Sequence, residues 1–312
     1  MRREGSALHG LGVVTVKEVA DHFTSARVIV LQVLVLLIAV ATVSMAADQI
    51  KETTAEDPFL FLRLFTTARD PLPSFVAFLS FLVPLIAIGL GFDAVNGEHN
   101  RRTLSRVLAQ PIYRDALLFG KFLAGLFTLT ISLIVLWLLV IGLGLVRLGI
   151  PPNAEEMARA IIFLLVAIAY AGVWLALALL FSIVFRSPAT AALVTLGLWL
   201  FLTLIWPALA PAVVVAFVPA SDEETLVRTA QYFSRVSPST MFGEVVLAIL
   251  NPSTRSLGPI YLSQLQGAVM GAPLPLAQSL LIAWPQIVGL VAASILLFVI
   301  GYIVFQRQEV RA

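Results

Sequence analysis

Cysteine is absent from the 312 residues, and charged residues make up only 12% of them. Without cysteine the chain has no disulfide framework, no thiolate metal site and no cysteine nucleophile. Hydrophobic residues make up 60% of the chain, well above the ~45–50% of a soluble domain. A water-soluble chain of this length could not bury that much apolar surface, so the composition indicates a membrane protein.

The chain has few histidines, and its sequence contains no complete P-loop motif. The three histidines, His9, His22 and His99, stand in polar segments and do not pair at metal-ligand spacing. Gly120-Lys121 lacks the other residues of a P-loop. We therefore expect no metal, no cofactor and no catalytic activity on this chain by itself. Glu155-Glu156 is interpreted as the acidic first turn of a helix.

Six apolar runs are long enough to cross the ~30 Å hydrocarbon core of a bilayer. They cover residues 28–47, 74–92, 122–146, 160–185, 189–218 and 284–305. The runs after the first carry Ser, Thr, Tyr, Trp and one amide, Gln286, so the sequence predicts no ionisable group at mid-depth. A proton- or sodium-coupled carrier normally uses a buried carboxylate, so the energy for any uphill transport should come from another chain.

The predicted fold is an all-α polytopic membrane protein with six spans in a single domain, residues 1–312. The termini and the segments on their side hold twelve of the 20 Lys and Arg residues. The positive-inside rule then places both termini in the cytoplasm, with loops 48–73 and 219–283 outside. We expect a multi-pass protein of the cytoplasmic membrane whose first span is retained rather than cleaved.

Residues 13–23 form an amphipathic pattern. Val16, Val19, Ala20 and Phe23 fall on one helical face, and Lys17 and Glu18 fall on the other. The pattern predicts an interfacial helix lying on the inner leaflet before the first span. A short frayed helix without a special role is the alternative.

A polar island at 93–121 separates the second and third runs. Within it, residues 98–109 are predicted to form a short helix with an apolar patch flanked by basic side chains. The patch is Leu104, Val107 and Leu108, and the flanking residues are Arg101, Arg102 and Arg106. Such a helix fits a groove on a soluble partner. A topology determinant or a weak anionic-lipid patch is the alternative.

Two external segments are candidates for contact with an extracytoplasmic partner. The run 58–65 is apolar and too short to span, which suits a lid, an interfacial patch or a partner site. The segment 219–283 is predicted to form a small helical subdomain outside the membrane, because Pro238 precedes a helical run that ends at Asn251-Pro252.

The island resembles that of the ABC type-2 transporter permeases. The matching residues are Gly97-Glu98, Thr103-Leu104, Leu108-Ala109-Gln110-Pro111-Ile112, Arg114 and Gly120-Lys121. Arg102 stands where the family usually has glycine, and Tyr113 where it has Ser or Thr. The order of elements, with an amphipathic helix, six spans and a Ser237-Pro238 segment before the last span, is similar along the whole chain.

The resemblance implies an assembly of two permease chains, identical or different, with two ABC ATPase subunits that bind ATP and Mg. It implies an elbow helix that includes Val16, Lys17, Glu18, Val19 and Phe23. It also implies a coupling helix that contacts the ATPase through Glu98, Arg101, Arg102, Leu104, Arg106, Val107 and Leu108. Spans two and five would bend during transport at candidate hinges, which are Pro84, Gly89, Gly91, Pro207 and Pro211.

The leading interpretation is therefore the permease subunit of an ATP-binding cassette exporter in the lipid bilayer. The main alternative is a mechanotransmission or anchoring subunit that acts on an external partner through 48–73 and 219–283 without carrying substrate. An ion-coupled carrier or an intramembrane enzyme is less favoured. Nothing in the sequence suggests nucleic-acid binding.

Overall fold

The computed structural model describes residues 10–52, 58–100, 113–217, 223–257 and 273–307. In these ranges the regular structure is helical, apart from one isolated bridge between Arg69 and Leu72. The all-α polytopic fold is confirmed. Six helices in the described ranges are long and apolar enough to cross a membrane.

The six spans are referred to by number, first to sixth. They are α2 Ala26–Glu52, α4 Phe75–Gly91, α6 Arg114–Leu148, α7 Ala154–Val184, the pair α8 Pro188–Leu200 and α9 Trp206–Phe217, and α12 Leu276–Arg307. A π-helical turn, Phe201–Ile205, joins α8 to α9. Several spans exceed their predicted bounds, because the helices continue beyond the apolar run into polar residues such as Arg114 and Arg159.

Five shorter helices complete the described structure. They are α1 Leu11–Thr24, α3 Arg63–Thr66 with a preceding 3₁₀ turn Leu60–Leu62, α5 Asn96–Asn100, α10 Glu223–Ser234 and α11 Pro238–Leu250. The helix predicted at 13–23 corresponds to α1. Of the helix predicted at 98–109, only the start is seen, within α5, and residues 101–112 lie outside the described ranges.

The bundle has two ends. The α1 end contains α1, α5 and the first turns of the third span, and the far end contains α3 and the first turn of the fourth span. The fourth span is central and packs against the second, third and sixth spans and α11. A Cβ added at Gly91 would lie 2.8 Å from Ala178 Cβ. Gly91 is therefore a point of close helix approach, and its hinge role stays a prediction.

The fourth span begins with a capping box. The Asn153 side chain accepts from Glu156 N at 2.8 Å, and Glu156 Oε2 accepts from Asn153 N at 2.8 Å. Glu156 Oε1 also accepts from Phe61 N at 2.8 Å. The acidic pair thus serves as a helix N-terminus, as the sequence indicated, and it also anchors the turn before α3.

The apolar run 58–65 is partly buried in the bundle, and its role as a lid, an interfacial patch or a partner site stays a prediction. Four side chains of the run are buried at the far end of the bundle: Phe61, Leu62, Leu64 and Phe65. The Phe65 ring packs edge-to-face on Phe163 with centroids 5.5 Å apart. Burial of these four side chains stabilises the bundle.

The fifth span widens at the π turn just before Pro207. Proline has no amide hydrogen, so it cannot bond to the carbonyl oxygen four residues earlier, at Thr203, and the helix relaxes locally. Pro84 and Pro211 lie inside helices that continue past them. These placements suit bending, but the hinge assignments of Pro84, Gly89, Pro207 and Pro211 stay predictions.

The helical segment before the sixth span is inserted into the bundle rather than held outside it. Ser239 Oγ at the start of α11 lies 2.9 Å from Tyr170 Oη. Tyr170 is sixteen residues into the fourth span, or about 24 Å along it. The turn between α10 and α11 therefore reaches deep into the bundle, because α11 is apolar on the faces that carry Phe242, Val245 and Ile249.

Candidate coupling site at the α1 end

Lys121 is the centre of a buried ion-paired cluster. Its Nζ lies 3.0 Å from Glu18 Oε1 of α1 and 2.7 Å from Glu98 Oε1 of α5, and the Lys121 side chain is 3% exposed. A buried ammonium is unfavourable unless it is paired and hydrogen-bonded. The two carboxylates meet that requirement, and they tie three chain segments to one atom. We call this cluster the Lys121 junction.

The contact of α1 with the third span explains why a glycine precedes Lys121. A Cβ at Gly120 would lie 2.6 Å from Val14 Cγ1. Only a residue without a side chain lets α1 approach closely enough for Glu18 to reach Lys121. Val14 and Glu18 thus form the packed face of α1.

This arrangement corrects the prediction for the faces of α1. Glu18 was expected on the polar face toward water, yet it is buried against the third span. Val16 is 70% exposed, and Phe23 is also exposed on the outer surface; Val19 is half-buried. The physical reason is the carboxylate's pairing with Lys121, which outweighs the desolvation of Glu18.

The titration of α1 reflects the same contacts. Burial by itself raises the pKa of the Glu18 carboxyl, but Lys121 and Lys17 overcome that effect and hold the pKa below its ordinary value. Burial lowers the pKa of Lys17, and its bonds to Asp21 and Glu18 reverse this, so the net pKa is raised. Glu18 and Lys17 therefore stay charged at neutral pH.

His22 makes a second contact between α1 and the third span. Its Nδ1 lies 3.0 Å from Thr128 Oγ1. Burial is the main cause that lowers the pKa of His22 below its ordinary value. The imidazole is therefore neutral at physiological pH and acts as a polar contact rather than as a charge.

The end of the second span is fixed by a separate ion pair. Arg27 donates from both terminal nitrogens to Asp93, at 3.0 and 3.3 Å. The guanidinium also lies over the Phe92 ring, 5.1 Å from its centroid. A two-point pair of this kind fixes orientation as well as distance, so the start of the first span and the end of the second move as one unit.

The start of α5 is anchored to the fourth span. Ser182 Oγ accepts from Val95 N at 2.9 Å and from Asn96 N at 3.3 Å. Asn96 Nδ2 donates to the Phe185 carbonyl oxygen at 3.1 Å. The chain leading into residue 101 is thereby held by the first, third and fourth spans and by α1.

The structure brings together only part of the predicted site. Glu18 and Lys17 of the predicted elbow helix and Glu98 of the predicted coupling helix lie at or beside the Lys121 junction. The other predicted coupling residues lie outside the described residues; they are Arg101, Arg102, Leu104, Arg106, Val107 and Leu108. The sequence analysis did not predict the ion pairs of Lys121, and it missed Asn96 and Ser182.

A different buried cation organises the far end. The Arg159 side chain is fully buried. It donates to Glu155 Oε1 at 2.8 Å, to the carbonyl oxygens of Ile249 and Leu274 at 2.8 and 2.6 Å, and to Ser279 Oγ at 3.2 Å. Arg159 thus joins the fourth span, the end of α11 and the start of the sixth span.

A third cluster corrects the expectation that the bundle interior lacks ionisable groups. Glu244 of α11 accepts from Arg235 Nε and from Gln286 Nε2, each at 2.8 Å. Gln286 is ten residues into the sixth span, about 15 Å from its start. The ion pair of Arg235 and Glu244 could not be predicted from the apolar runs, because both residues stand outside them. Glu244 lies in the bundle because α11 is inserted there.

Comparison with known proteins agrees with this architecture. The model of a family described as ABC-2 family transporter protein matches residues 13–310. The chain belongs to the ABC-2 transporter family. The match covers α1, the six spans and the inserted helices of this ABC-2 protein.

Two named relatives are similar to this ABC-2 protein. One, named probable ABC transporter permease protein NosY, from Stutzerimonas stutzeri, is 26% identical over 250 residues, covering 78% of this chain and 82% of its own. Another of the same name, from Pseudomonas aeruginosa, is 34% identical over 148 residues, covering 46% of this chain and 52% of its own. Both names describe a permease protein of an ABC transporter.

Proposed function

We propose that this ABC-2 protein is the permease subunit of an exporter, coupling ATP hydrolysis on a separate ATPase subunit to export across the cytoplasmic membrane. The observation that carries the proposal is the Lys121 junction. It joins the N-terminal helix and the segment that leads into the predicted coupling helix to the third span. A displacement of residues 98–109 would therefore reach α1 and the third span through this one side chain.

In the proposed mechanism, closure of an ATPase dimer displaces residues 98–109. Glu98 transmits that displacement to Lys121 and through it to Glu18 and α1. Asn96 transmits it to Ser182 in the fourth span. Because interiors are close-packed, such a shift moves whole helices rather than deforming one contact.

The proposed assembly contains two ATPase subunits, which bind ATP and Mg, and two permease chains. The α1 end faces the cytoplasm in this proposal, with both termini, in agreement with the distribution of Lys and Arg. The bend at the π turn before Pro207, together with Pro84 in the second span, would let the two spans open the path for export.

The test is co-purification of the chain with its ATPase subunit. The substitutions Leu104→Asp and Arg106→Glu should each abolish association, because they place a negative charge on the predicted contact face. Val146→Asp, at an exposed position near the far end, is the matched control and should leave association unchanged. If both coupling variants retain the ATPase, the assignment of residues 98–109 is wrong.

A second candidate is force transmission to an extracytoplasmic partner without transport of substrate. It is favoured by Arg159, which links the fourth span directly to the chain segments at the far end. The two candidates differ in one measurement, ATP-dependent release of substrate from sealed vesicles that contain only permease and ATPase. Release of substrate would support the exporter. ATP hydrolysis without release of any tested substrate, together with a function that requires a partner bound at the far end, would support the second candidate.

A further inference from the structure

Pro84 leaves a backbone acceptor without its helical donor in the second span. Proline has no amide hydrogen, so the carbonyl oxygen of Ser80, four residues earlier, lacks the hydrogen bond that it would accept in a regular helix. Tyr170 of the fourth span donates its hydroxyl proton to that oxygen at 2.9 Å, and Tyr170 is fully buried. Since a buried carbonyl without a donor is unfavourable, the tyrosine supplies the hydrogen bond that the proline removes.

Two further hydroxyl groups continue from Tyr170 to the fifth span. Ser239 Oγ of α11 lies 2.9 Å from Tyr170 Oη, and Thr203 Oγ1 lies 2.9 Å from Ser239 Oγ. Thr203 belongs to the π turn that precedes Pro207. The three hydroxyl groups of Tyr170, Ser239 and Thr203, here called the hydroxyl bridge, therefore connect the second span at its proline to the fifth span at its π turn.

The direction of each hydrogen bond in the hydroxyl bridge follows from the proton count. A hydroxyl group has one proton to donate. Tyr170 uses its proton on the Ser80 carbonyl oxygen, which can only accept, so Ser239 donates to Tyr170 and Thr203 donates to Ser239. Bonds that point in one direction along a chain polarise and strengthen one another. Ser239 is thus the member that accepts from the fifth span and donates to the fourth.

The hydrogen bond of Thr203 differs from those of three other threonines in the spans. Thr128, Thr130 and Thr195 each donate to the carbonyl oxygen four residues earlier in their own helix. Bonds of that kind stay within one helix and connect it to nothing else. Thr203 is bonded to Ser239 in a second chain segment, so its hydroxyl group serves the contact between segments.

The turn between α10 and α11, next to Ser239, is attached on both sides. Trp206 Nε1 of the fifth span donates to the Phe233 carbonyl oxygen at the end of α10, at 2.8 Å. On the other side the Tyr170 ring stacks on Phe242 of α11, with centroids 4.4 Å apart and planes 9° apart. The Ser239 hydroxyl is therefore held at a defined position between the fourth and fifth spans.

We propose that the hydroxyl bridge makes the second and fifth spans shift as one unit, with Ser239 as the positioning residue between them. The inference rests on the proposed function for the part that these two spans play in transport. Phe81 and Trp199 also join the two spans, with ring centroids 4.8 Å apart, but apolar packing is non-directional and tolerates sliding. Hydrogen bonds are directional, so the hydroxyl bridge sets the relative position of the two spans.

The experiment measures the distance between the two spans in the purified full chain, in lipid nanodiscs without an ATPase. Spin labels are attached at Ala77→Cys and Leu204→Cys, two exposed positions, and dilution with unlabelled chain keeps the measured distance within one molecule. We expect a narrow distance distribution in the parent. Ser239→Ala and Thr203→Val should each broaden it, because each removes one link of the bridge, and each should lower the unfolding temperature by about 2 °C.

The arrangement of the links in series gives a sharper prediction. Since the loss of one link already uncouples the spans, the double variant of Ser239→Ala and Thr203→Val should show no broader distribution than either single variant. Ser239→Thr keeps a hydroxyl group and should keep the narrow distribution. Thr195→Val is the matched control, because it removes a hydroxyl group of the same span that is bonded within its own helix, and it should also keep the narrow distribution.

Three results would overturn the proposal. The first is an unchanged distribution in both single variants, and the second is additive broadening in the double variant, which would indicate two independent contacts. The third is broadening by Thr195→Val as large as that by Ser239→Ala, which would indicate a general loosening of the fifth span. Because the ATPase is absent, failure here leaves the coupling proposal intact, and loss of ATPase association in the coupling variants leaves the hydroxyl bridge intact.

Discussion

The two ends of the bundle each contain a buried cation, but the cations are paired in different ways. Arg159 at the far end donates chiefly to neutral acceptors, two backbone carbonyls and a hydroxyl, in addition to Glu155. Lys121 at the α1 end is held by two carboxylates, from α1 and from α5. Arginine's planar fork suits several fixed acceptors, whereas the lysine ammonium is a point charge on a flexible stem.

The difference indicates which end is fixed and which can move. Carbonyl oxygens within helices and turns cannot shift without breaking local structure, so Arg159 fixes the relative positions of the fourth span, α11 and the sixth span. A lysine stem can follow its carboxylates over small displacements and stay paired. The Lys121 junction is therefore suited to transmit movement, and the Arg159 site to resist it.

Removal of Arg159 should have the largest effect on stability. Arg159→Met keeps much of the volume but leaves the Ile249 and Leu274 carbonyls without the guanidinium. We expect a loss on the order of 3–5 kcal/mol in the free energy of unfolding. The measurement is thermal unfolding in detergent, with Arg147→Met, an exposed cation at the end of the third span, as the control. An equal effect of the two substitutions would contradict the fixed role of Arg159.

Removal of Lys121 should destabilise the protein less than removal of Arg159. Lys121→Met leaves Glu18 and Glu98 facing each other, but either carboxyl can take up a proton to relieve the repulsion, so we expect about 2–3 kcal/mol. The triple variant Glu18→Gln, Glu98→Gln, Lys121→Met removes all three charges and should recover most of that loss.

ATP-driven activity separates the two roles of the Lys121 junction. The triple variant should fold yet stay defective in coupling, because its neutral groups no longer hold α1 and α5 to the third span. A triple variant with recovered stability and full activity would show that the junction is only structural.

A single methyl group at Gly120 should move α1. The Cβ of Gly120→Ala would meet Val14 at 2.6 Å, and overpacking of this kind costs about 1–3 kcal/mol. Gly142→Ala, in the same helix with open space at its Cβ, should be neutral or slightly stabilising, because alanine favours helix more than glycine. Thermal unfolding of the Gly120→Ala and Gly142→Ala variants measures the difference in stability. Equal unfolding temperatures would contradict the close packing of α1 against Gly120.

The smallest expected effect concerns pH and His22. Burial lowers the pKa of His22 in the folded protein relative to 6.5, so below that pH the unfolded state binds the proton more readily. Stability should therefore fall as pH decreases from about 6.5 toward the folded pKa, with a slope of at most ~1.4 kcal/mol per pH unit. His22→Gln should flatten the unfolding temperature between pH 7.5 and 5.5. A steeper slope in the variant would contradict this origin.

The spans and α1 could be predicted from sequence because their signals are local. An apolar run of about 20 residues or a repeat of three to four residues requires no knowledge of the partner. The depth of α11 could not be predicted in this way. A 13-residue apolar helix has the same pattern on a surface or inside a bundle, and only the contacts of Ser239 and Gln286 place it.

The candidate site was likewise predicted only in part. The resemblance to the ABC type-2 permeases implied an elbow helix that includes Glu18 and a coupling helix that includes Glu98. Their meeting at Lys121 depends on the approach of three separate segments, and sequence spacing carries no information about it. One signal was available: Lys121 stands seven residues into the third span beside Gly120, a charged residue within two turns of apolar helix, next to a residue that allows close approach.

The most direct test of the account is a distance measurement in the assembled transporter. Because the chain has no cysteine, spin labels can be placed at Val13→Cys on the exposed face of α1 and at Asn100→Cys at the end of α5. The account predicts that the distance between the two labels is the same with and without Mg-ATP, since Lys121 holds both segments, and that it changes with Mg-ATP in the Lys121→Met background. A parental distance that changes with Mg-ATP, or a Lys121→Met protein indistinguishable from the parent, would contradict it.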